Sequence, residues 1–154
     1  MRVFADIEEL AAAVGQTFGP GPWLRVDQGR VDLFADATDD HQWIHLDAER
    51  AAAGPFGGTI AHGYLTLSLL PALVGGLYRV DGVRMGVNYG LNRVRFPAPL
   101  RVGGAVRATA TIAEVAPVDG GVQLVTAVVV QSDAGGKPVC VAESVSRLYV
   151  GPLR

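Results

Sequence analysis

The sequence contains one cysteine, one lysine and few charged residues of either sign, and each shortage excludes a class of protein. Cys140 alone cannot build an internal disulfide framework or a cysteine-based metal site. Charged residues make up 18% of the 154 residues, the formal net charge is −2, and Lys137 is the only lysine. Because no basic excess is available to neutralise phosphates, we expect no nucleic-acid partner.

Apolar residues are correspondingly abundant, at 49% of the chain with a mean hydropathy of +0.28. This content, together with the low charge, excludes a disordered chain. A small domain has much surface to cover and should be more polar than this. The composition therefore indicates that the protein hides apolar surface in an oligomer, lines an apolar cavity, or does both. The length predicts a single domain over residues 1–154.

No stretch of the sequence predicts a membrane segment. The most apolar run, Tyr64–Tyr78, is shorter than the roughly 20 residues that span a bilayer. The first nine residues carry three acidic groups, which is not the pattern of a secretory signal peptide. We therefore expect a cytoplasmic protein.

Helical patterns occupy the first half of the chain and strand patterns the second half. Tyr64–Tyr78 is apolar all round and predicts a long buried helix, in which Pro71 predicts a kink or break near Leu67–Pro71. The strand patterns are rich in Val and Thr and are separated by Gly-rich turns: Arg84–Asn92, Arg101–Ala116, Val122–Ser132 and Val139–Val150. Helices followed by an antiparallel meander favour an α+β fold in which a curved sheet wraps a central helix.

The densest group of reactive side chains lies before this helix. Asp40 and His45 are five residues apart, and a carboxylate beside an imidazole can hold and activate one water. Gly63 stands where the helix begins, and the free N–H groups of a helix start suit a developing oxyanion. The spacing alone also fits a plain loop with a capping Asp and a hydrogen-bonded His, because such pairs are common by chance.

Residues 34–73 resemble the MaoC-like dehydratase family, whose core includes the (R)-specific enoyl-CoA hydratases. The family pattern is an Asp, a His five residues later, a further Asp, a Pro-Phe turn and Ile-Ala-His-Gly at a helix start. It is matched here by Asp40, His45, Asp47, Pro55–Gly57 and Ile60–Gly63. Residues 92–104 also look like the family's Arg-Phe-x-x-Pro segment, with Gly104 where the family usually has Asp. The resemblance extends over residues 28–150.

The resemblance implies a hot-dog fold, a homodimer, and addition of water to a trans-2-enoyl thioester to give the (R)-3-hydroxyacyl thioester. Asp40 and His45 would activate the water, and the Gly63 N–H would stabilise the thioester oxygen. Ser68 stands where the family carries a serine that supports the carboxylate by hydrogen bonding. The substrate expected is an acyl-CoA or an acyl-ACP thioester. Neither a metal nor another cofactor is expected.

Three alternatives remain beside an (R)-specific enoyl-CoA hydratase. The same chemistry in reverse would be a 3-hydroxyacyl-ACP dehydratase of fatty-acid synthesis. A hot-dog thioesterase typically lacks the spacing of Asp40 and His45 and the Ala-His-Gly helix start. A non-catalytic acyl-binding subunit would be expected to lose Asp40 or His45, and this chain keeps both.

Five further residues are candidates for substrate binding. Trp43, Phe56 and Tyr64 could line an acyl tunnel, although core packing is the alternative for them. Arg93 and Arg95 could hold the phosphates of CoA, since guanidinium groups bind phosphate in bidentate fashion, although strand arginines are more often solvated or paired.

Three further polar residues of this stretch are expected to have structural roles. Asp39 is expected to cap a helix or to be solvated, and Asp47 is expected to be the N-cap of the helix at Ala48–Ala53. His62 is expected to hold the turn before the helix through a hydrogen bond to a backbone group.

Overall fold

The protein alternates short helices with strands in its first half and ends in four long strands. The structure is a computed structural model and describes residues 1–151. Its elements in chain order are β1 (Arg2–Phe4), α1 (Ile7–Ala12), β2 (Thr17–Phe18), β3 (Leu24–Arg25), α2 (Gln28–Thr38), α3 (Trp43–Leu46), α4 (Ala48–Ala52), α5 (Gly63–Ser68), α6 (Leu70–Gly75), β4 (Tyr78–Val80), β5 (Met85–Arg95), β6 (Ala105–Val118), β7 (Gly121–Ser132) and β8 (Cys140–Tyr149).

Aspartate side chains begin three of the helices. Asp6, Asp27 and Asp47 each accept a hydrogen bond from the backbone N–H three residues later, at the starts of α1, α2 and α4. A side-chain oxygen at this position satisfies an N–H group that has no partner inside the helix. The expectation that Asp47 caps a helix is thereby confirmed.

The helical stretch predicted over Tyr64–Tyr78 forms as two short helices rather than one. The helices α5 and α6 meet at Leu69, and Pro71 lies in the first turn of α6. Proline lacks an N–H and is tolerated only in the first turn of a helix, so the chain begins a new helix here. The predicted interruption near Pro71 is therefore confirmed, while the last residue of the stretch, Tyr78, instead starts β4 and pairs in parallel with β1.

The two helices are buried on one side only. Leu65, Leu69, Leu70 and Leu73 are buried, whereas the Tyr64 side chain is 69% exposed. Within residues 1–151, no helix is long and apolar enough to cross a membrane.

The long strands form a six-stranded antiparallel sheet in the order β2, β6, β7, β8, β5, with β3 also paired to β6. Consecutive strands β6, β7 and β8 are neighbours, as a meander requires. The strand β5 precedes β6 in sequence but pairs with β8, so it occupies the opposite edge. Register shifts between Ile112 and Glu114 in β6, and at two places in β5, are β-bulges, which increase the local bend and twist of a strand.

The core lies between this sheet and the helices α5 and α6. Alternate residues of a strand point to the same face of a sheet, and the buried residues follow that period: Val106, Ala108, Ala110 and Ile112 on β6, Leu124, Val128 and Val130 on β7, and Cys140 and Ala142 on β8. They belong to one cluster with the buried leucines of α5 and α6. The predicted arrangement of helices on an antiparallel sheet is confirmed.

The edge strand β5 has almost no cover. Every residue of it is exposed except Val94, which is half-buried. Large apolar side chains stand at alternate exposed positions, namely Met85, Val87, Tyr89 and Leu91. A long edge strand of this kind is a template for pairing with another strand. Part of the apolar excess of the composition therefore lies on this edge.

Two leucines on helices should differ sharply in their contribution to stability. Leu10 in α1 is fully buried, whereas Leu33 in α2 is 72% exposed. Leu10→Ala should lower the free energy of unfolding by about 2–5 kcal/mol, because it removes buried apolar contacts and leaves a cavity. Leu33→Ala, the matched control, should change it by less than about 0.5 kcal/mol. Urea denaturation followed by circular dichroism measures both, and similar losses for the two variants would contradict the described packing.

Candidate active site

The end of α2 directs the chain toward the site. Asp39 is the C-cap of α2 and has φ 60°, the left-handed conformation. Among non-glycine residues, Asp and Asn adopt this conformation most readily. Asp39 thus ends a helix, in agreement with its expected capping role. The next residue, Asp40, has an exposed side chain whose Oδ1 accepts a long hydrogen bond of 3.5 Å from Gln42 N.

His45 is held in one orientation by a backbone carbonyl. It lies in α3, is 6% exposed, and its Nδ1 is 2.6 Å from Ile60 O. A carbonyl only accepts, so Nδ1 carries the hydrogen and donates it, and Nε2 keeps its lone pair. Ile60 is itself held by a bridge to Arg101 and by a hydrogen bond from its N–H to Ile44 O.

Burial sets the charge of this imidazole. Desolvation lowers the pKa of His45 below its ordinary value, and the nearby His62 lowers it further. The hydrogen bond to Ile60 and the Asp40 carboxylate raise the pKa, but they do not outweigh burial. His45 is therefore neutral near pH 7 and presents an unprotonated Nε2, as a proton acceptor requires.

His62 connects the two predicted catalytic residues. Its Nε2 donates to the backbone oxygen of Asp40 at 3.0 Å, and its ring stacks on that of His45 with 3.8 Å between centroids. The Phe34 ring packs 4.9 Å from the His62 centroid. His62 thus bonds a backbone group and holds the turn, as expected, and it also supports the His45 ring.

Asp40, His45 and His62 each bring one potential metal-ligand atom within 4.8 Å of the others. In each imidazole one nitrogen bonds a backbone carbonyl, which leaves the other nitrogen with a lone pair. The two rings are stacked, with planes 23° apart. These lone pairs and the Asp40 carboxylate are proton acceptors, so the cluster is able to hold and polarise one water.

Gly63 is the first residue of α5, so its N–H belongs to the turn that has no intrahelical acceptors. A side chain here would force the Phe96 ring to shift, because a Cβ would lie 2.9 Å from it. Packing of Phe96 against the backbone therefore explains the glycine independently of any ligand. The same lack of a side chain leaves the start of the helix open to a substrate carbonyl.

Ser68 does not support the Asp40 carboxylate in this structure, contrary to what the resemblance implied. Its Oγ donates to Tyr64 O at 2.6 Å, one turn back in α5. This local bond is available to any serine in a helix, because the carbonyl four residues earlier is within reach. Ser68 instead lines a cavity.

The predicted substrate-binding aromatics lie apart from that cavity. Trp43 packs under the Arg50 guanidinium at 4.3 Å from its ring and against Gly54. Tyr64 meets Phe96 edge to face at 6.0 Å. Phe56 is 38% exposed and accepts a hydrogen bond from Arg101 through its backbone oxygen. Packing against neighbours at the surface thus accounts for their positions, and the structure does not bring them together as a tunnel.

Arg93 and Arg95 are exposed on β5. Arg95 bonds the carbonyl of its neighbour Val94 at 2.6 Å, and within residues 1–151 Arg93 forms neither an ion pair nor a side-chain hydrogen bond. Both guanidinium groups therefore have donors available to an anionic ligand.

A cavity of about 410 Å³ lies between the helices α5 and α6 and the strands β5, β7 and β8. Its lining residues are Leu67, Ser68, Leu70, Pro71, Val74, Tyr78, Asn88, Tyr89, Gly90, Leu91, Thr126, Ser144, Val145 and Ser146. Apart from Ser68, none of them is among the site residues predicted from the sequence. The sequence does contain a signal for this cavity. On β8 the apolar Cys140 and Ala142 are followed at the next two alternate positions by Ser144 and Ser146, so the face that begins apolar becomes polar.

Comparisons with known proteins agree on the fold and the family. Residues 9–134 match the family model described as "MaoC like domain". The chain is 53% identical over 148 residues to 3-hydroxyacyl-thioester dehydratase Z of Mycobacterium tuberculosis, covering 96% of this chain and 98% of the relative.

Two solved structures resemble the whole chain. A protein described as monoamine oxidase regulatory protein from Archaeoglobus fulgius superimposes with a TM-score of 0.77 at 24% identity, over 98% of each chain. R-hydratase PhaJ1 from Pseudomonas aeruginosa, in its unliganded form, superimposes with a TM-score of 0.72 at 26% identity, over 97% of this chain and 89% of that chain. The hot-dog fold expected from the resemblance is confirmed.

The buried His45 should make the protein less stable as the pH falls. Because burial lowers the pKa of His45 in the folded protein, the unfolded chain binds this proton more readily. The stabilising contribution is complete above the ordinary value of about 6.5 and is lost as the pH falls through the lowered folded-state value. In His45→Gln, the free energy of unfolding should therefore fall less steeply from about pH 7.5 to about pH 5 than in the wild type.

Urea titrations of both proteins across this range measure the difference. His41 and His62 are present in both the wild type and His45→Gln, so their contributions to the pH dependence cancel to first order in the comparison. Parallel curves for the two proteins would mean that His45 is not held neutral by burial.

Proposed function

Because the chain belongs to the MaoC-like domain family, we propose that it catalyses the reversible hydration of trans-2-enoyl-CoA to (R)-3-hydroxyacyl-CoA. The chain is an enzyme of the hydro-lyase type. The observation that carries this proposal is the site itself, where the exposed Asp40 carboxylate has an oxygen within 4.8 Å of a ring nitrogen of the buried, neutral His45. The Nδ1 of His45 donates to Ile60 O, so its Nε2 is free. A dehydratase and a hydratase share this chemistry, because the reaction is reversible.

In the proposed reaction, one water sits between Asp40 and His45. The water gives its hydroxyl to C3 of the enoyl group, and its remaining proton passes through the Asp40 and His45 pair to C2. The carboxylate and the Nε2 lone pair are both proton acceptors, so either can polarise the water. His62 bonds the backbone oxygen of Asp40 and stacks on the ring of His45. The two residues are therefore held in position before substrate binds.

Charge develops on the thioester oxygen as the hydroxyl adds. We assign the Gly63 N–H to this oxygen, since it is a backbone donor without an intrahelical partner. Ser68 lies five residues along α5 from Gly63, or about 7.5 Å at the helical rise. An acyl chain that starts at Gly63 and follows α5 would therefore enter the cavity at Ser68.

The proposed carrier of the acyl group is CoA. Arg93 and Arg95 are the candidates to contact the phosphates of CoA, and a 3-hydroxyacyl-ACP dehydratase is the alternative. The 53% identity to a 3-hydroxyacyl-thioester dehydratase supports the thioester without naming a carrier. Relative kcat/KM values for CoA and ACP thioesters of the same acyl group separate the two.

We also propose that the enzyme is a homodimer that uses β5. The strand is an eleven-residue sheet edge with exposed Met85, Val87, Tyr89 and Leu91. A second copy is the occupant that the low charge of the chain favours, because it would cover these side chains in both protomers at once.

Two isosteric substitutions should abolish turnover. Asp40→Asn and His45→Gln should each lower kcat by about 10²–10⁴-fold, because each removes a proton acceptor from the water. The loss of enoyl absorbance with crotonyl-CoA and a longer trans-2-enoyl-CoA measures the rate. Asp39→Asn is the matched control, because Asp39 ends α2 beside Asp40 and asparagine tolerates its left-handed conformation.

Asp39→Asn should keep a rate near that of the wild type, and all three variants should unfold at temperatures close to it. Near-wild-type turnover in both Asp40→Asn and His45→Gln would overturn the proposed mechanism.

The dimer proposal predicts the mass in solution. Sedimentation at micromolar concentration should give twice the 16.1 kDa of one chain. Val87→Lys should shift the population toward the monomer, because it would bury a charge in the new interface. Glu114→Lys, an exposed change on β6, is the control and should stay dimeric. A wild-type protein that sediments only as a single chain would refute the dimer.

A further inference from the structure

The face of the sheet that covers α5 and α6 changes from apolar to polar inside the cavity. On β8 the residues that face the helices are Cys140 and Ala142, followed by Ser144 and Ser146. On β7 the equivalent row contains Val130, Val128 and then Thr126, which is 2% exposed. A sheet face that packs on helices is ordinarily apolar throughout. The hydroxyl groups are thus concentrated where the cavity lies.

Several of these polar groups keep unused hydrogen-bonding capacity. The Tyr78 and Thr126 hydroxyls are 3.3 Å apart, longer than the 2.5–3.0 Å usual for O–H···O. Ser144 Oγ reaches Thr126 O only at 3.5 Å. Asn88 and Ser146 pair across β5 and β8, and within residues 1–151 neither side chain forms a hydrogen bond. The Thr126 and Tyr78 hydroxyls are buried, whereas Ser144 and Ser146 are half-buried and Asn88 is exposed. A ligand oxygen that approaches the buried pair more closely than its two hydroxyls approach each other gains hydrogen-bond energy from them.

The opposite wall of the cavity is apolar, with Leu67, Leu70, Pro71 and Val74 from the helices. Of the described residues that line the cavity, none carries a charge. The combination fits a chain that is mainly hydrocarbon but bears a neutral oxygen, whereas a carboxylate would enter without a cation to neutralise it.

Because hydroxyl groups on the sheet wall face apolar side chains on the helix wall, we infer that the acyl group of the substrate carries a hydroxyl group beyond the reacting carbons. The hydroxyls of Thr126, Tyr78 and Ser146 bind it. This inference rests on the proposed function, because it takes the cavity as the place of the acyl chain. It names the class of substrate as a hydroxylated enoyl thioester rather than a plain alkyl one.

The test compares paired substrates of equal length. The wild-type enzyme is assayed with trans-2-hexenoyl-CoA and trans-2-octenoyl-CoA, and with the same two thioesters bearing a hydroxyl on the terminal carbon. For at least one length, kcat/KM for the hydroxylated substrate should exceed that for the plain one by about tenfold. A site built to hydrogen-bond a hydroxyl discriminates against the analogue that lacks it, because its own polar groups are then left unpaired.

Thr126→Val removes one cavity hydroxyl and keeps the branched shape of the side chain. It should lower the preference for the hydroxylated substrate about threefold or more, mainly by slowing that substrate. Thr109→Val is the matched control, since Thr109 is a half-buried threonine on β6 of the same sheet that does not line the cavity. The preference should be unchanged in it. Tyr78→Phe and Ser146→Ala repeat the test if Thr126→Val fails to fold.

The outcomes separate this inference from the proposed function. Hydration of the plain substrates with equal or better kcat/KM than the hydroxylated ones, at both lengths, would overturn the inference and leave the hydratase intact. The cavity hydroxyls would then hold water rather than substrate. Failure to hydrate any of the four thioesters, or their ACP counterparts, would overturn the proposed function itself.

Discussion

The burial of one side of α5 and α6 against the sheet is the constraint on which the site depends. Leu65, Leu69, Leu70 and Leu73 are covered by the sheet, so the start of α5 has a single position. His62 immediately precedes that start, and its ring in turn binds the Asp40 carbonyl and stacks on His45. Apolar packing of a helix thereby positions two residues that lie about twenty residues earlier in the chain.

The same burial sets the protonation of the site. A histidine in water near neutral pH is partly protonated, whereas desolvation lowers the pKa of His45 and keeps its Nε2 lone pair free. The hydrogen bond to Ile60 O selects the tautomer. Asp40 remains exposed at the surface. The fold thus buries one of these two titratable residues as a neutral acceptor and leaves the other open to solvent.

The apolar excess of the composition is distributed over three places. Most of it forms the cluster between sheet and helices, part lines the cavity, and part stands exposed on the β5 edge. These places have different consequences. The first stabilises the fold, the second is the proposed acyl site, and the third favours a second copy of the chain. Composition predicts that the chain has an excess of apolar residues. It cannot predict how many of them lie in the core, in the cavity or on the β5 edge, because burial depends on which residues meet in space.

Local and periodic features were determined by the sequence itself. Caps such as Asp6 and Asp47 act within three residues, and strand alternation follows a period of two. Pro71 prevents one continuous helix from running through its position, so all three features could be predicted without the fold. The spacing of Asp40, His45 and Gly63 likewise predicted a candidate site.

Tertiary structure alone decided the rest. It paired β5 with β8, opened the cavity beneath Ser144 and Ser146, turned Ser68 to Tyr64 O rather than Asp40, and placed His62 against both Asp40 and His45. These outcomes join residues distant in sequence. They depend on which surfaces of the sheet and the helices pack against each other, and no local pattern in the chain predicts that packing.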